Sequence, residues 1–198
     1  MIDHDPPGSG QRFFGVVVGI VTDNQDPDGL GRVRVRFPWL SGEHTSDWAR
    51  IAAPMAGPSR GAYFLPEVED EVLVAFERGR PEFAYVLGAL WNGKDRPPVA
   101  ADKGKDQRIL RSRSGLQITL DDTAGGEKLE LRDKDGKNQL VIDVAAGTIT
   151  IQSDAELRIL TKKKLTLGTA DADLAVECKN FTVTCSKLDV NGGALEVK

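Results

Sequence analysis

Cysteine is almost absent: Cys178 and Cys185 are the only two in 198 residues, too few for a disulfide framework. Histidine is equally rare, and neither His4 nor His44 sits in a nucleophile motif or a metal-ligand spacing. Aromatic residues make up 6% of the chain. No apolar run approaches the length of a membrane span. The opening, MIDHDPPGSG, has neither a basic start nor an apolar stretch, so it does not read as a secretory leader, and a soluble protein made in the cytosol is the expectation. An excess of positive charge is also missing. Residues 1–100 hold 10 basic and 14 acidic side chains, and the remainder holds 16 of each. That balance argues against a protein that lives on a phosphate backbone. Helix periodicity is nearly absent throughout.

What the chain does have is strands. After an arm over residues 1–13 rich in Pro and Gly, five short β-branched or apolar runs follow: FFGVVVGIV, RVRVRF, ARIAAPM, EVLVAFE and FAYVLGAL. Between them lie turn segments such as DNQDPDGLG, GPSRG and ERGRPE. Five strands in so short a stretch, without a helix, predict a small closed Greek-key barrel of the OB type over residues 14–98. Closure leaves no strand edge open.

A connector without apolar periodicity occupies 99–113, and a second, repetitive unit is predicted over 114–198. Its alternating apolar positions are Leu116, Ile118, Leu120; Leu129, Leu131; Leu140, Ile142; Ile149, Ile151; Leu157, Ile159; Leu165, Leu167. The series continues through Leu174, Val176, Cys178; Phe181, Val183, Cys185; Leu188, Val190; and Leu195, Val197. Each repeat is one strand with one apolar face and a polar or Gly turn. Leaving such side chains wet forgoes about 1.5–3 kcal/mol each, and the sum exceeds the net stability of a typical domain. Repeats of seven to ten residues are too short for the coil of a one-chain β-helix, which needs about twenty residues. Three intertwined copies fit instead. Each supplies one face of a triangular prism, with the residues from Leu116 to Val190 named above lining the axis. Both cysteines then read as small apolar residues near that axis. Three-fold symmetry would gather three thiols at each level, but no metal or other cofactor is assigned.

Several motifs with chemical overtones have plainer readings. GRVRVRF puts Arg32, Arg34 and Arg36 on one face and Val33, Val35 and Phe37 on the other. An arginine row on an OB barrel suggests single-strand nucleic-acid binding, but no interleaved aromatics are evident, and a solvated or subunit-contacting face is preferred. Residues 24–29, NQDPDG, imitate the start of an EF-hand loop, yet the position of the bidentate Glu is Val35, and a hairpin turn is expected. Glu67, Glu69, Asp70 and Glu71 form a charged loop entering a strand, with no sugar-sized cleft between them. Lys162–Lys164 read as outward charge that discourages lateral sheet pairing. No catalytic residue is assigned.

Three stretches carry a family resemblance. DNQDPDGLGRVRVRFPWL (23–40) and LPEVEDEVLVAFERGRPEFAYVLGALWNGKDRPP (65–98) resemble the OB portion of the phage baseplate assembly protein V family and the type VI secretion spike (VgrG) proteins. RSRSGLQITLDDTAGGEKLELRDKDG (111–136) resembles that family's passage from the barrel into a triple-stranded β-helix. The resemblance implies an all-β homotrimeric spike of a contractile injection apparatus, such as a phage tail or tailocin. It further implies a separate baseplate hub protein, a PAAR-repeat tip protein docking on Asn191, Gly192, Gly193, Ala194, Leu195 and Val197, and transient contact with a target membrane. No nucleic-acid partner is expected. The alternatives are an OB-fold nucleic-acid-binding module with a β-rich oligomerisation tail, and a cell-wall hydrolase carried by a tail.

Overall fold

The computed structural model describes residues 12–40, 45–170 and 172–188. Among these, every regular element is a strand except one 3-10 turn, Glu77–Gly79. The chain divides into two compact units, residues 1–152 and 153–198.

The first part of unit one is a curled five-stranded sheet. Its strands are β1 (Val16–Asp23), β2 (Arg34–Arg36), β3 (Arg50–Ile51), β6 (Glu71–Phe76) and β7 (Ala84–Ala89), in the order β2-β1-β6-β7-β3. A minor hairpin, β4 (Ala56–Gly57) and β5 (Arg60–Gly61), separates β3 from β6. All pairings in the sheet are antiparallel except β3 with β7. The two sheet edges meet. Val33 and Ala49 exchange backbone hydrogen bonds of 3.0 and 2.8 Å, and the Ser46 amide donates to the Val35 carbonyl at 2.8 Å. Strand order, a single parallel pair and edge-to-edge contact together describe an OB-type barrel. The five predicted runs coincide with these five strands.

Alternation explains the barrel interior. EVLVAF buries Val72, Val74 and Phe76 and turns Glu71, Leu73 and Ala75 the other way, while β2 and its flanks bury Val33, Val35 and Phe37. With Val21, Ala49, Ala84 and Val86 these form the core. At one end the core is extended by Phe13, whose ring meets Trp39 edge-on at 4.8 Å and Phe76 at 6.3 Å. The Phe13 amide donates to the Gly79 carbonyl at 2.8 Å. Phe13 was read as the last residue of a flexible arm; here it is anchored.

The turn at 24–29 is held by one side chain. Asp26 accepts the Asp28, Leu30 and Arg32 amides at 3.1, 3.0 and 3.2 Å, and takes Arg32 Nε at 2.8 Å and Nη2 at 2.6 Å. The paired Arg32 guanidinium, foremost, holds the Asp26 carboxyl well below the usual aspartate range. The EF-hand likeness is thus a capped hairpin turn, and Arg32 is committed to it.

The rest of the arginine row is also engaged. Arg36 approaches Glu69 at 3.7 Å, and Arg34 lies 5.0 Å over the Trp48 ring. That ring corrects the expectation that the arginine face lacks an aromatic. It was missed because Trp48 lies on the segment that crosses from β2 to β3, not on the arginine strand.

The second sheet of unit one is a meander of β8 (Gln107–Arg111), β9 (Gln117–Asp121), β10 (Lys128–Arg132), β11 (Gln139–Asp143) and β12 (Thr148–Gln152), paired antiparallel in chain order. The stretch read as a connector, 99–113, therefore contains a strand. Its apolar residues, Ile109 and Leu110, are adjacent, so no two-residue period announces it. In unit two the described residues of 153–188 form no strand, and their side chains are almost all exposed.

At Gly19 the Val35 side chain of β2 lies directly over the β1 backbone. Gly19 is buried, and a Cβ placed on it would overlap Val35 Cγ1. Gly19→Val should therefore lower the stability of the barrel by about 1–3 kcal/mol through overpacking. A fall in the urea midpoint with an unchanged slope is the expected reading; an unchanged midpoint would contradict the packing described.

Candidate subunit interface

The β8–β12 meander has two faces of opposite chemistry, and its register sorts them. On one face Leu110 opposes Ile118, Ile118 opposes Leu131, Leu131 opposes Leu140 and Leu140 opposes Ile151. Beside this row runs a second: Arg108, Leu120, Leu129, Ile142 and Ile149. Nine apolar side chains thus form two rows, one across all five strands and one, headed by Arg108, across four. Cross-strand apolar neighbours of this kind stabilise a sheet, but they cover only one another's flanks.

The opposite face is mainly polar: it carries Gln107, Arg111, Gln117, Thr119, Asp121, Lys128, Glu130 and Arg132, with Ile109 and Val141 the apolar exceptions. At β9 it is this polar face that the single chain covers, whereas β12 is exposed on both faces. Gln117, Thr119 and Asp121 are buried, Thr119 to 3% exposure, whereas Ile149 on the apolar side is 72% exposed. Pro98, Val99, Ala100 and Lys103 share a cavity of about 320 Å³ with this polar face. The segment after the barrel is folded back over the polar side and leaves the apolar side open. The ordinary arrangement, with apolar groups inside and polar groups in water, is inverted.

Hydrogen bonds make the covered polar face tolerable. Gln117 Nε2 donates to Thr119 Oγ1 at 2.8 Å, and Gln107 Nε2 donates to Asp121 Oδ2 at 2.7 Å. Asp121 Oδ1 accepts the Thr123 hydroxyl at 2.6 Å and the Thr123 amide at 3.0 Å. The Thr123 hydroxyl first, then the Gln107 amide, lower the Asp121 carboxyl to about 2. Burial of polar groups is acceptable when each finds a partner.

Every residue placed on the axis by the sequence reading within the meander lies on the apolar face or just before it. Ile118, Leu120, Leu129, Leu131, Leu140, Ile142, Ile149 and Ile151 form the rows, and Leu116 precedes β9, exposed. Leu110 belongs to the first row but was missed. Its signal is its registry with Ile118, which only the pairing reveals. Beyond Gln152, Leu157, Ile159, Leu165, Leu167, Leu174, Val176, Phe181, Val183 and Leu188 are all exposed, as are the free thiols of Cys178 and Cys185. Val190 and the expected docking residues Asn191 to Val197 lie outside the described residues. The acidic loop has its partners within the chain: Asp70 accepts the Glu67 amide at 2.8 Å, Glu71 accepts Asn92 Nδ2 at 3.2 Å, and Glu67 meets Arg113 at 3.1 Å.

Against known proteins, residues 17–91 match the family described as the type VI secretion system/phage-baseplate injector OB domain. The chain is 30% identical over 149 residues to the type VI secretion system spike protein VgrG1a of Pseudomonas aeruginosa, covering 73% of this chain and 23% of that protein. It is 30% identical over 128 residues to the spike protein VgrG3 of Vibrio cholerae, covering 60% and 13%. A third relative, the actin cross-linking toxin VgrG1 of V. cholerae, is 29% identical over 136 residues, covering 63% and 12%. The chain thus spans less than a quarter of the length of these relatives.

Asp121 ties stability to pH. Its folded pKa lies below the ordinary value of 3.8, so its contribution is present above about pH 4 and is lost as pH falls toward 2. Asp121→Asn should therefore flatten the acid loss of stability between pH 4 and 2, measured by urea midpoints across that range. A variant as acid-sensitive as the parent would contradict the assignment.

Proposed function

This chain belongs, through residues 17–91, to the type VI secretion system/phage-baseplate injector OB family, and from that premise we propose that three copies of it form the central spike of a contractile injection apparatus. The observation that carries the reading is the largely open apolar face: nine aliphatic side chains in two rows, while at β9 it is the polar face that one chain covers. Three copies turning this face to a common axis would bury both rows. Each side chain so covered contributes about 1.5–3 kcal/mol. The exposed repeats from Leu157 to Leu188 continue the same pattern and extend the prism.

The proposed work is mechanical. Contraction drives the rod along its own axis, and strands paired between copies cannot part without breaking many backbone hydrogen bonds together. A dry, filled axis resists bending and buckling. The barrels stand at the wide end, against a separate hub protein. A PAAR-repeat protein at the other end would meet the target membrane first. Lys162–Lys164 and the other charges facing out keep neighbouring rods from pairing.

Ile151→Asp tests the axis, because it would set three carboxylates at one level of a dry core. In the parent protein the amides of Leu157 to Leu188 should exchange with solvent far more slowly than in an unstructured chain. In the variant they should exchange freely while the β6 amides stay protected. Free exchange of 157–188 in the parent, or unchanged protection in the variant, would refute the assignment.

A further inference from the structure

Where barrel and meander adjoin within unit one, a groove of about 1340 Å³ opens, and Tyr63, Phe64, Trp91, Leu110, Ile118 and Leu131 are among its lining residues. Phe64 is 69% exposed and Trp91 67%. Glu67 and Arg113, paired at 3.1 Å, also line it. Large exposed aromatics and aliphatics together with a charged pair have the composition of a protein–protein contact, with the aromatics as its anchors.

Three of these lining residues, Leu110, Ile118 and Leu131, are also the first three members of the long apolar row. Groove and row are one continuous surface. Whatever lies along the row runs into the groove, so a different protein seated there would have to stop where the covering copy begins. We infer that the groove is filled by a neighbouring copy of this chain, and that Phe64 and Trp91 fix the axial register in which the copies wind together. The inference rests on the three-copy reading above.

The need for such a device follows from the repeats. Leu157/Ile159, Leu165/Leu167 and Leu174/Val176 are chemically near-equivalent pairs at short spacing. A copy displaced by one repeat still sets aliphatic groups against aliphatic groups. Register is weakly specified where successive strands are interchangeable, and it is fixed by features that do not repeat. Phe64 and Trp91 occur once, on the barrel, at the end where winding starts. One aromatic contact per copy aligns all the repeats that follow.

The test uses the full-length chain with Cys178→Ala and Cys185→Ala, carrying a nitroxide on Lys163→Cys, and reads distances between copies by pulsed electron resonance. The parent should give a single narrow distance. Trp91→Ala and Phe64→Ala should add longer distances from copies out of register, and Trp91→Phe should restore the single one. A single unchanged distance in both alanine variants would overturn the inference. A second measurement does not depend on those variants being well assembled: Phe64→Cys in the same cysteine-free background, without the nitroxide label, should react with a maleimide at least tenfold more slowly in the assembled protein than after unfolding. Reaction at the unfolded rate would show the groove open and overturn the inference. Light scattering separates the two readings: a monomeric parent removes the three-copy reading, and this inference with it, whereas an assembled parent with an open groove removes this inference alone.

Discussion

An extended strand with one apolar face must find a second layer, and this chain makes five such strands in a row without supplying one. The segment 98–103 lies against the polar side of the meander. There it helps to bury Thr119 and Asp121, whose hydrogen bonds make burial acceptable. The aliphatic rows from Leu110 to Ile151 and from Leu120 to Ile149 are left for another molecule. Hydrophobic burial is the dominant favourable term in folding, so the uncovered face is what the proposed three-copy rod is built on.

The barrel answers the same problem differently. Its sheet curls until β2 reaches β3, and ten buried side chains fill the space inside. It needs no partner to be satisfied, and it is therefore suited to be the rigid end of a structure whose other end is completed only in company. Asp26 and Arg32 make the long first turn stiff, and the Phe13, Phe37, Trp39 and Phe76 rings close one end of the core. In the proposed three-copy rod, a stiff barrel beside the sheet would let a contact at Phe64 or Trp91 set how the repeats align.

Much of this was legible in the residues. RVRVRF and EVLVAF alternate cleanly because one side of each strand is buried and the other is wet, and the structure buries the valines and phenylalanines that this pattern selects. The repeats from Leu116 to Ile151 alternate as cleanly, although in the single chain their apolar side is the open one. What escaped the sequence depends on contacts between distant segments. Leu110 is marked only by its registry with Ile118. Trp48 reaches the arginine face from a crossing segment. Nothing in QITLD says that its polar residues, rather than Ile118 and Leu120, are covered, because the cover comes from residues some twenty positions earlier. From Ser153 onward the alternation is as regular as before, yet the described residues of 153–188 form no ladder. A strand pattern states a demand for partners without stating where they are.

The most direct test of the account is the mass of the purified protein in dilute solution, measured by light scattering after size exclusion. The account predicts a single species of three times the 21.5 kDa chain, unchanged on dilution. A stable monomer at 21.5 kDa would contradict it, because the two aliphatic rows would then be tolerated in water.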